Sequence, residues 1–168
     1  MKYDVIVGID PDVEKNGFAV LDTKARRVRL DALTFAECVE KFKTIGGVLE
    51  TGSKSIVVVV EASWIISSNW HLAKWGESKH HAAAKGYDVG RNHQVGKLIV
   101  EMCHHFDIPV VEHIPLIKTW KGKDRKITHE ELIQFCPINK SRTNQEERDA
   151  ALLAWSFANF PIKLGVGK

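Results

Sequence analysis

The chain has 168 residues, of which 44% are hydrophobic and 27% charged, with a formal net charge of +3 and eight His. That length carries a substantial core and predicts one domain, and the composition excludes a disordered or fibrous chain. The mild basicity permits a nucleic-acid partner without establishing one.

The first apolar run is Val5-Ile6-Val7-Gly8-Ile9, closed by Asp10 and Pro11. It reads as a short strand buried on both faces, and Pro11 cannot continue a central strand. Asp10 is thereby placed at the carboxyl end of a strand, where α/β sheets present ligands. A turn-opening Asp-Pro explains the same two residues equally well. Gly17 to Leu21 predicts a second strand and Arg27 to Leu30 an edge strand, so the chain opens as an antiparallel meander. Thr34 with Glu37 forms a capping-box pattern ahead of a helix bearing Phe35, Cys38, Val39, Phe42 and Ile45. Gly46-Gly47 is a candidate end or kink of that helix. Ile56 to Val60 are five β-branched residues in a row, a central strand ending in Glu61.

Residues 62–89 read as a loop with a short helical piece, rich in Trp64, Trp70, Trp75, His71, His80 and His81. A helix is expected from Gly90, with Val95, Leu98, Ile99, Met102 and Phe106 in a stripe. Pro109 to Glu112 reads as a fifth strand. Lys118 to Lys126 is a basic loop, with Lys118, Lys121, Lys123, Arg125 and Lys126 against Asp124 alone. Thr128 caps a short helix, with Glu131 at its third position. The last helix is expected from Gln145 to Ala158.

Cys38, Cys103 and Cys136 are widely spaced without a CxxC pair, which predicts buried thiols in a reducing compartment. The adjacent His pairs do not face one another on a helix and lack structural zinc spacing. No apolar stretch approaches a membrane span, and the first strand begins too early for a signal peptide. A cytoplasmic protein without a membrane partner is expected.

Two strand-end acids, Asp10 and Glu61, are joined by an acidic helix start, Glu146-Glu147-Arg148-Asp149. Glu146 and Asp149 are three apart and share a face. Acids in a first turn also simply suit the helix dipole. If the acids converge, they form an oxygen-only site suited to Mg²⁺ or Mn²⁺, two of which clamp a phosphodiester displacement.

At this point the chain resembles a known family. The order of three antiparallel strands, helix, strand, helices, strand and final acidic helix is similar to the ribonuclease-H-like superfamily. Gly8-Ile9-Asp10-Pro11, Val58-Val59-Val60-Glu61 and Glu146-x-x-Asp149-Ala150-Ala151-Leu152-Leu153-Ala154 resemble the RuvC-type Holliday junction resolvases. Gly90-Arg91-Asn92-His93-Gln94-Val95-Gly96 looks like that family's glycine-spaced helix start. The resemblance implies an α/β fold with a mixed five-stranded sheet, three strands antiparallel and two parallel, flanked by helices.

It further implies an endodeoxyribonuclease that cleaves branched DNA by two-metal hydrolysis, acting as a homodimer. Asp10, Glu61, Glu146 and Asp149 would be the catalytic metal ligands, for two Mg²⁺ or Mn²⁺ ions. The sequence departs from the family at Asp12, where Gly is usual, and at Glu146, where Asp or His is usual; Glu147 is the alternative ligand. Trp64 fills the family's DNA-contacting aromatic position, three residues after Glu61. Arg91, His93, Lys118, Lys121, Lys123 and Lys126 complete the expected nucleic-acid face. The sequence does not choose a catalytic lysine among Lys118, Lys121, Lys123 and Lys126. Rival readings are a nuclease of RNA or hybrids on the same fold, a non-catalytic nucleic-acid-binding module, and an actin-like ATPase. The last lacks the glycine-rich phosphate loops it needs.

Overall fold

The computed structural model describes residues 2–66 and 78–164. Trp70, His71 and Trp75 lie outside the described residues. Five strands form one sheet in the order β3-β2-β1-β4-β5: β1 (Val5–Asp10), β2 (Asn16–Asp22), β3 (Arg27–Leu33), β4 (Ile56–Glu61) and β5 (Val110–His113). β1 pairs antiparallel with β2 and parallel with β4; β2–β3 is antiparallel and β4–β5 parallel. This is the predicted mixed sheet. β1 and β4 lie at its centre because their β-branched side chains are covered on both faces.

Strand alternation divides the core in two. Ile6, Val57 and Val59 face one layer, with Ala19, Leu21, Val28 and Leu30. Val7, Ile9, Val58 and Val60 face the other. The first layer is covered by α4 (Gln145–Phe157), through Ala150, Ala151, Leu153 and Ala154. The second is covered by α1 (Phe35–Glu50) and α2 (Lys79–His105), through Cys38, Phe42, Ile99 and Cys103.

Both Thr-headed capping boxes form. Thr34 and Glu37 exchange hydrogen bonds at the start of α1, as do Thr128 and Glu131 at α3 (His129–Leu132). A third, from Asn144 and Glu147, starts α4. Each satisfies two amide donors that a helix start leaves open.

Three expectations are corrected. α2 begins at Lys79 and not at Gly90, so residues 79–89 are helical where a loop with a short helical piece was expected. All of its buried residues lie from Gly96 onward. The preceding turns therefore lack the apolar stripe that identifies a helix in sequence, and Ser78 supplies the cap. Gly46-Gly47 neither ends nor breaks α1, which runs on to Glu50. β5 is shifted by one residue, to Val110–His113.

Cys38, Cys103 and Cys136 are buried and free, and burial pushes each thiol up to about 12. No described helix is long and apolar enough to cross a membrane.

α4 lies close on the sheet because β1 and β2 present glycines beneath it. A Cβ at Gly8 would collide with the Ala150 carbonyl oxygen, and one at Gly17 with that of Glu146. Gly17→Ala should therefore push the start of α4 off the sheet, costing about 1–3 kcal/mol, as overpacking does. At this chain length that lowers the melting temperature by roughly 2–12 °C. Gly47→Ala, where the added methyl meets nothing within 4 Å, should instead raise stability by about 0.5–1 kcal/mol. Thermal melts of the two variants check both signs.

Candidate active site

Ile9 and Val60 are the last pair between β1 and β4, and Asp10 and Glu61 follow them on adjacent strands. Alternation aims both at the α4 side, since Gly8 and Val59 already face it. Asp149 comes to meet them from the second turn of α4. The three carboxylates are partly accessible, so water reaches them, yet each is packed among protein atoms.

Their ionisation reflects this crowding. Asp10 is pushed well above the usual Asp range, first by burial and then by the charges of Glu61 and Asp149. Burial likewise raises Glu61, with Asp149 adding repulsion. Burial also raises Asp149, opposed by a hydrogen bond from Gln145. Lys118 and Lys126 act in the opposite direction on all three, favouring the charged forms. Lys126 Nζ lies 3.8 Å from an Asp149 carboxylate oxygen.

Asp149 is also oriented from within its own helix. Gln145 Nε2 donates to Asp149 Oδ1 at 2.8 Å, while Gln145 Oε1 accepts from Arg148 at 2.8 Å. Arg148 in turn donates to the Ile127 carbonyl at 2.8 Å, which ties the end of the basic loop to α4.

The two glutamates at the start of α4 have different fates. Glu147 is buried and committed to the fold: it accepts from the Asn144 amide at 3.0 Å and from Lys140 Nζ at 2.6 Å. Both of its carboxylate oxygens are thus engaged by the fold, and it is not among the main electrostatic influences on the cluster. Glu146 is partly exposed and is not among the main electrostatic influences on Asp10, Glu61 or Asp149.

The remaining expected residues separate into three groups. Lys118 and Lys126 lie beside the acids, in a cleft that also includes Glu61, Ile127 and Asp149. Lys121 and Lys123 are exposed on the loop outside it. That loop is shaped by backbone bonds from Trp120 to Arg125 and from Gly122 to Lys126, both 3.0 Å, and by the buried Glu131, which accepts from the Lys121 amide at 3.1 Å. Arg91 is exposed and stands over the Tyr87 ring at 5.4 Å. His93 meets Trp64 edge-on at 6.2 Å.

Trp64 is half-buried: its Nε1 donates to Glu112 at 2.6 Å, and its ring fills the space over Gly96. With Asp10, Pro11, Glu61, Ser63 and Asn92 it lines a second cleft of about 130 Å³. Asn92, Gln145 and Glu112 were not anticipated. Asn92 accepts from the Val13 amide at 3.2 Å and so anchors α2 to the turn after Asp10. Gln145 was legible in principle, because it stands four residues before Asp149 on a helix. Asn92 and Glu112 act across long sequence separations and leave no local signal.

Among the described residues, no three His, Cys, Asp or Glu side chains stand close enough together to hold a metal ion as they are placed. The donor set nevertheless suits a hard dication. It offers carboxylate oxygens only, and desolvation with mutual repulsion leaves them short of positive charge.

No family model matches the chain, and no curated protein matches it. Among solved structures, Thermus thermophilus RuvC in complex with a Holliday junction substrate aligns at TM-score 0.53 and 14% identity, over 92% of each chain. A second T. thermophilus RuvC structure aligns at TM-score 0.47 and 15% identity, covering 93% of this chain and 97% of that one. A Fowlpox virus resolvase with Holliday junction DNA aligns at 0.42 and 14%, covering 92% and 97%. The first alignment shows the ribonuclease-H-like fold of RuvC.

The cluster has a measurable stability cost. Each raised carboxylate binds more protons folded than unfolded, so the cluster's own contribution to metal-free stability is most favourable below the ordinary carboxylate range. It falls as pH rises from there toward the raised folded values. Asp10→Asn removes one of the repelling charges. Its melting temperature in chelator should exceed that of the wild type at about pH 8, and the gap should close near pH 4. Paired melts across that range measure it; a destabilised variant at high pH would contradict the electrostatic account.

Proposed function

We propose that this chain is a metal-dependent endonuclease for branched DNA, its 168 residues acting as one nuclease domain. The observation that carries the reading is the meeting of Asp10, Glu61 and Asp149, three mutually repelling carboxylates from three elements, at the edge of a ribonuclease-H-like sheet. A site built this way favours a bound dication, and a phosphodiester is a substrate that brings its own negative charge to meet one.

Asp10, Glu61 and Asp149 would hold Mg²⁺ or Mn²⁺, two ions as two-metal hydrolysis requires, with Glu146 as the fourth candidate ligand. The metal would supply Lewis acidity at the scissile phosphate. The chain's own residues do the rest. Gln145 and Lys126 orient the Asp149 carboxylate. Lys118 faces the same cluster and is the lysine best placed to offset charge that develops on the phosphate. Lys121, Lys123 and Arg91 are exposed and contact phosphates farther along the strand. Trp64 and Asn92 line the Asp10 cleft, and His93 stands edge-on to Trp64.

The T. thermophilus RuvC structure holds a Holliday junction, which supports a branched substrate here. A two-fold junction cut symmetrically needs two sites, so the working unit is a homodimer. The three free thiols suit a reducing compartment such as the cytoplasm.

A cleavage panel tests the reading. With Mn²⁺, a four-way junction should be cut in preference to flap, RNA–DNA hybrid and linear duplex. Asp10→Asn should lower the rate by at least about a hundredfold, as losing a central electrostatic group does, while junction binding persists. Calorimetric Mn²⁺ titration should show binding to the wild type. No cleavage together with no Mn²⁺ uptake would leave a non-catalytic module, and preference for the hybrid would reassign the substrate.

The role of the loop lysines is tested separately. Neutralising Lys121 and Lys123 together should weaken binding to all sequences alike. It should also reduce the slope of log affinity against log salt by about 0.9 for each phosphate no longer neutralised. An unchanged slope in filter-binding titrations would take this loop off the DNA face.

A further inference from the structure

The segments that follow β4 and β5 leave the sheet at the same edge as the carboxylates. They are joined there by the Ala62 amide, which donates to the His113 carbonyl at 2.7 Å. Both carry isoleucines that the core does not take up: Ile65 is 49% exposed, Ile66 37%, Ile114 59% and Ile117 84%. One exposed isoleucine is ordinary on any protein surface. Four on the segments leaving one sheet edge are less so, and Ile117 also forms part of the wall of the cleft that holds Glu61, Lys118 and Asp149.

The surroundings restrict what covers this rim. Lys118 and Lys126 share the Ile117 cleft, and Lys121, Lys123 and Arg125 are exposed farther along the same loop, so the occupant is anionic. It must also offer an apolar face. A membrane of acidic lipids meets both conditions, and so does a nucleic acid with bases out of the stack. Ile117 walls the cleft of Glu61, Lys118 and Asp149, where the nuclease reading places the scissile phosphodiester, so a nucleic acid is the occupant and acidic lipid is an arm of the test.

Both aromatics near the carboxylates are already engaged. Trp120, which shares the Ile117 cleft, stacks on Phe135 at 6.0 Å, and Trp64 gives its N–H to Glu112, lies over Gly96 and meets His93 at its edge.

We infer that Ile114 and Ile117 form an apolar contact for bases displaced from the stack next to the scissile phosphate. The contact would make the site selective for DNA whose helix is interrupted. The inference rests on the nuclease reading above. Its physical basis is general: paired bases present no free face, and apolar side chains insert where stacking is already broken, as they do in proteins that kink DNA.

The test compares the wild type with the double variant Ile114→Ser/Ile117→Ser in chelator. The probes are a four-way junction with 2-aminopurine at the branch, a linear duplex of equal length, and phosphatidylserine-containing vesicles. Both side chains are exposed, so the melting temperature should not change. Junction affinity should fall roughly 10- to 100-fold, as expected for one buried isoleucine side chain. Duplex affinity should hold, and the 2-aminopurine signal seen with the wild type should disappear. Ile114→Val/Ile117→Val should retain most of the binding. Equal losses on junction and duplex, or an unchanged junction affinity in a wild type that does cut junctions, overturns this inference and leaves the nuclease reading standing. Vesicle binding by the wild type that the serine variant loses, with DNA affinity unchanged, assigns the rim to a membrane. A wild type that neither binds nor cuts DNA removes both readings.

Discussion

The candidate site depends on one close approach, that of the α4 backbone to the sheet over Gly8 and Gly17. No other residue type leaves room there, because a Cβ at either position would strike a carbonyl oxygen of the helix. The helix answers with small residues of its own, Ala150, Ala151 and Ala154. This packing places Asp149 beside two strand ends that are far from it in sequence. A helix held off by one ordinary side chain would leave the acids separated by water. Their mutual repulsion, and with it any strong demand for a cation, would be screened.

That proximity is costly to the fold, and the surrounding structure offsets the cost in part. Glu61 lines one cleft with Asp149 and another with Asp10, and burial raises all three, with repulsion added at Asp10 and Glu61. Lys118 and Lys126 return some of the stability by their charge, and Gln145 by a hydrogen bond. Arg148 holds Gln145 and the Ile127 carbonyl at once, which ties the end of the loop that carries the lysines to the helix that carries Asp149. Unfavourable electrostatics retained in this way are a mark of a functional site, since a purely structural cleft would be better filled with apolar side chains.

The opposite wall is built differently. Asn92 accepts from the Val13 amide, and Trp64 spans from Glu112 to Gly96. α2 is thereby fastened to the turn after Asp10 and to the exits of β4 and β5. The indole at this position acts as a brace between elements. The exposed apolar side chains of the site belong to the isoleucines on the rim.

Much of the fold was legible in local sequence. β-branched runs gave the central strands, both Thr-headed capping boxes marked their helices, and Asp10 and Glu61 were placed at strand ends by the apolar runs they close. These features depend on neighbours within a few residues, and so a sequence displays them. The first turns of α2 were not legible, because they project beyond the core and carry no apolar stripe. The site was legible as a set of candidates and not as an arrangement. Glu146 and Glu147 are adjacent and chemically identical. Only the packing of α4 against Lys140 and Asn144 assigns Glu147 to the fold. Four lysines in one loop are equivalent on paper, and the path of the loop over Glu131 turns Lys118 and Lys126 toward the acids and leaves Lys121 and Lys123 outside. Trp64 could have faced solvent or core until β5 supplied Glu112 and α2 supplied a glycine. Local sequence determined which chemistry was present. Contacts between distant segments, whose direction no local pattern encodes, decided which of those groups meet.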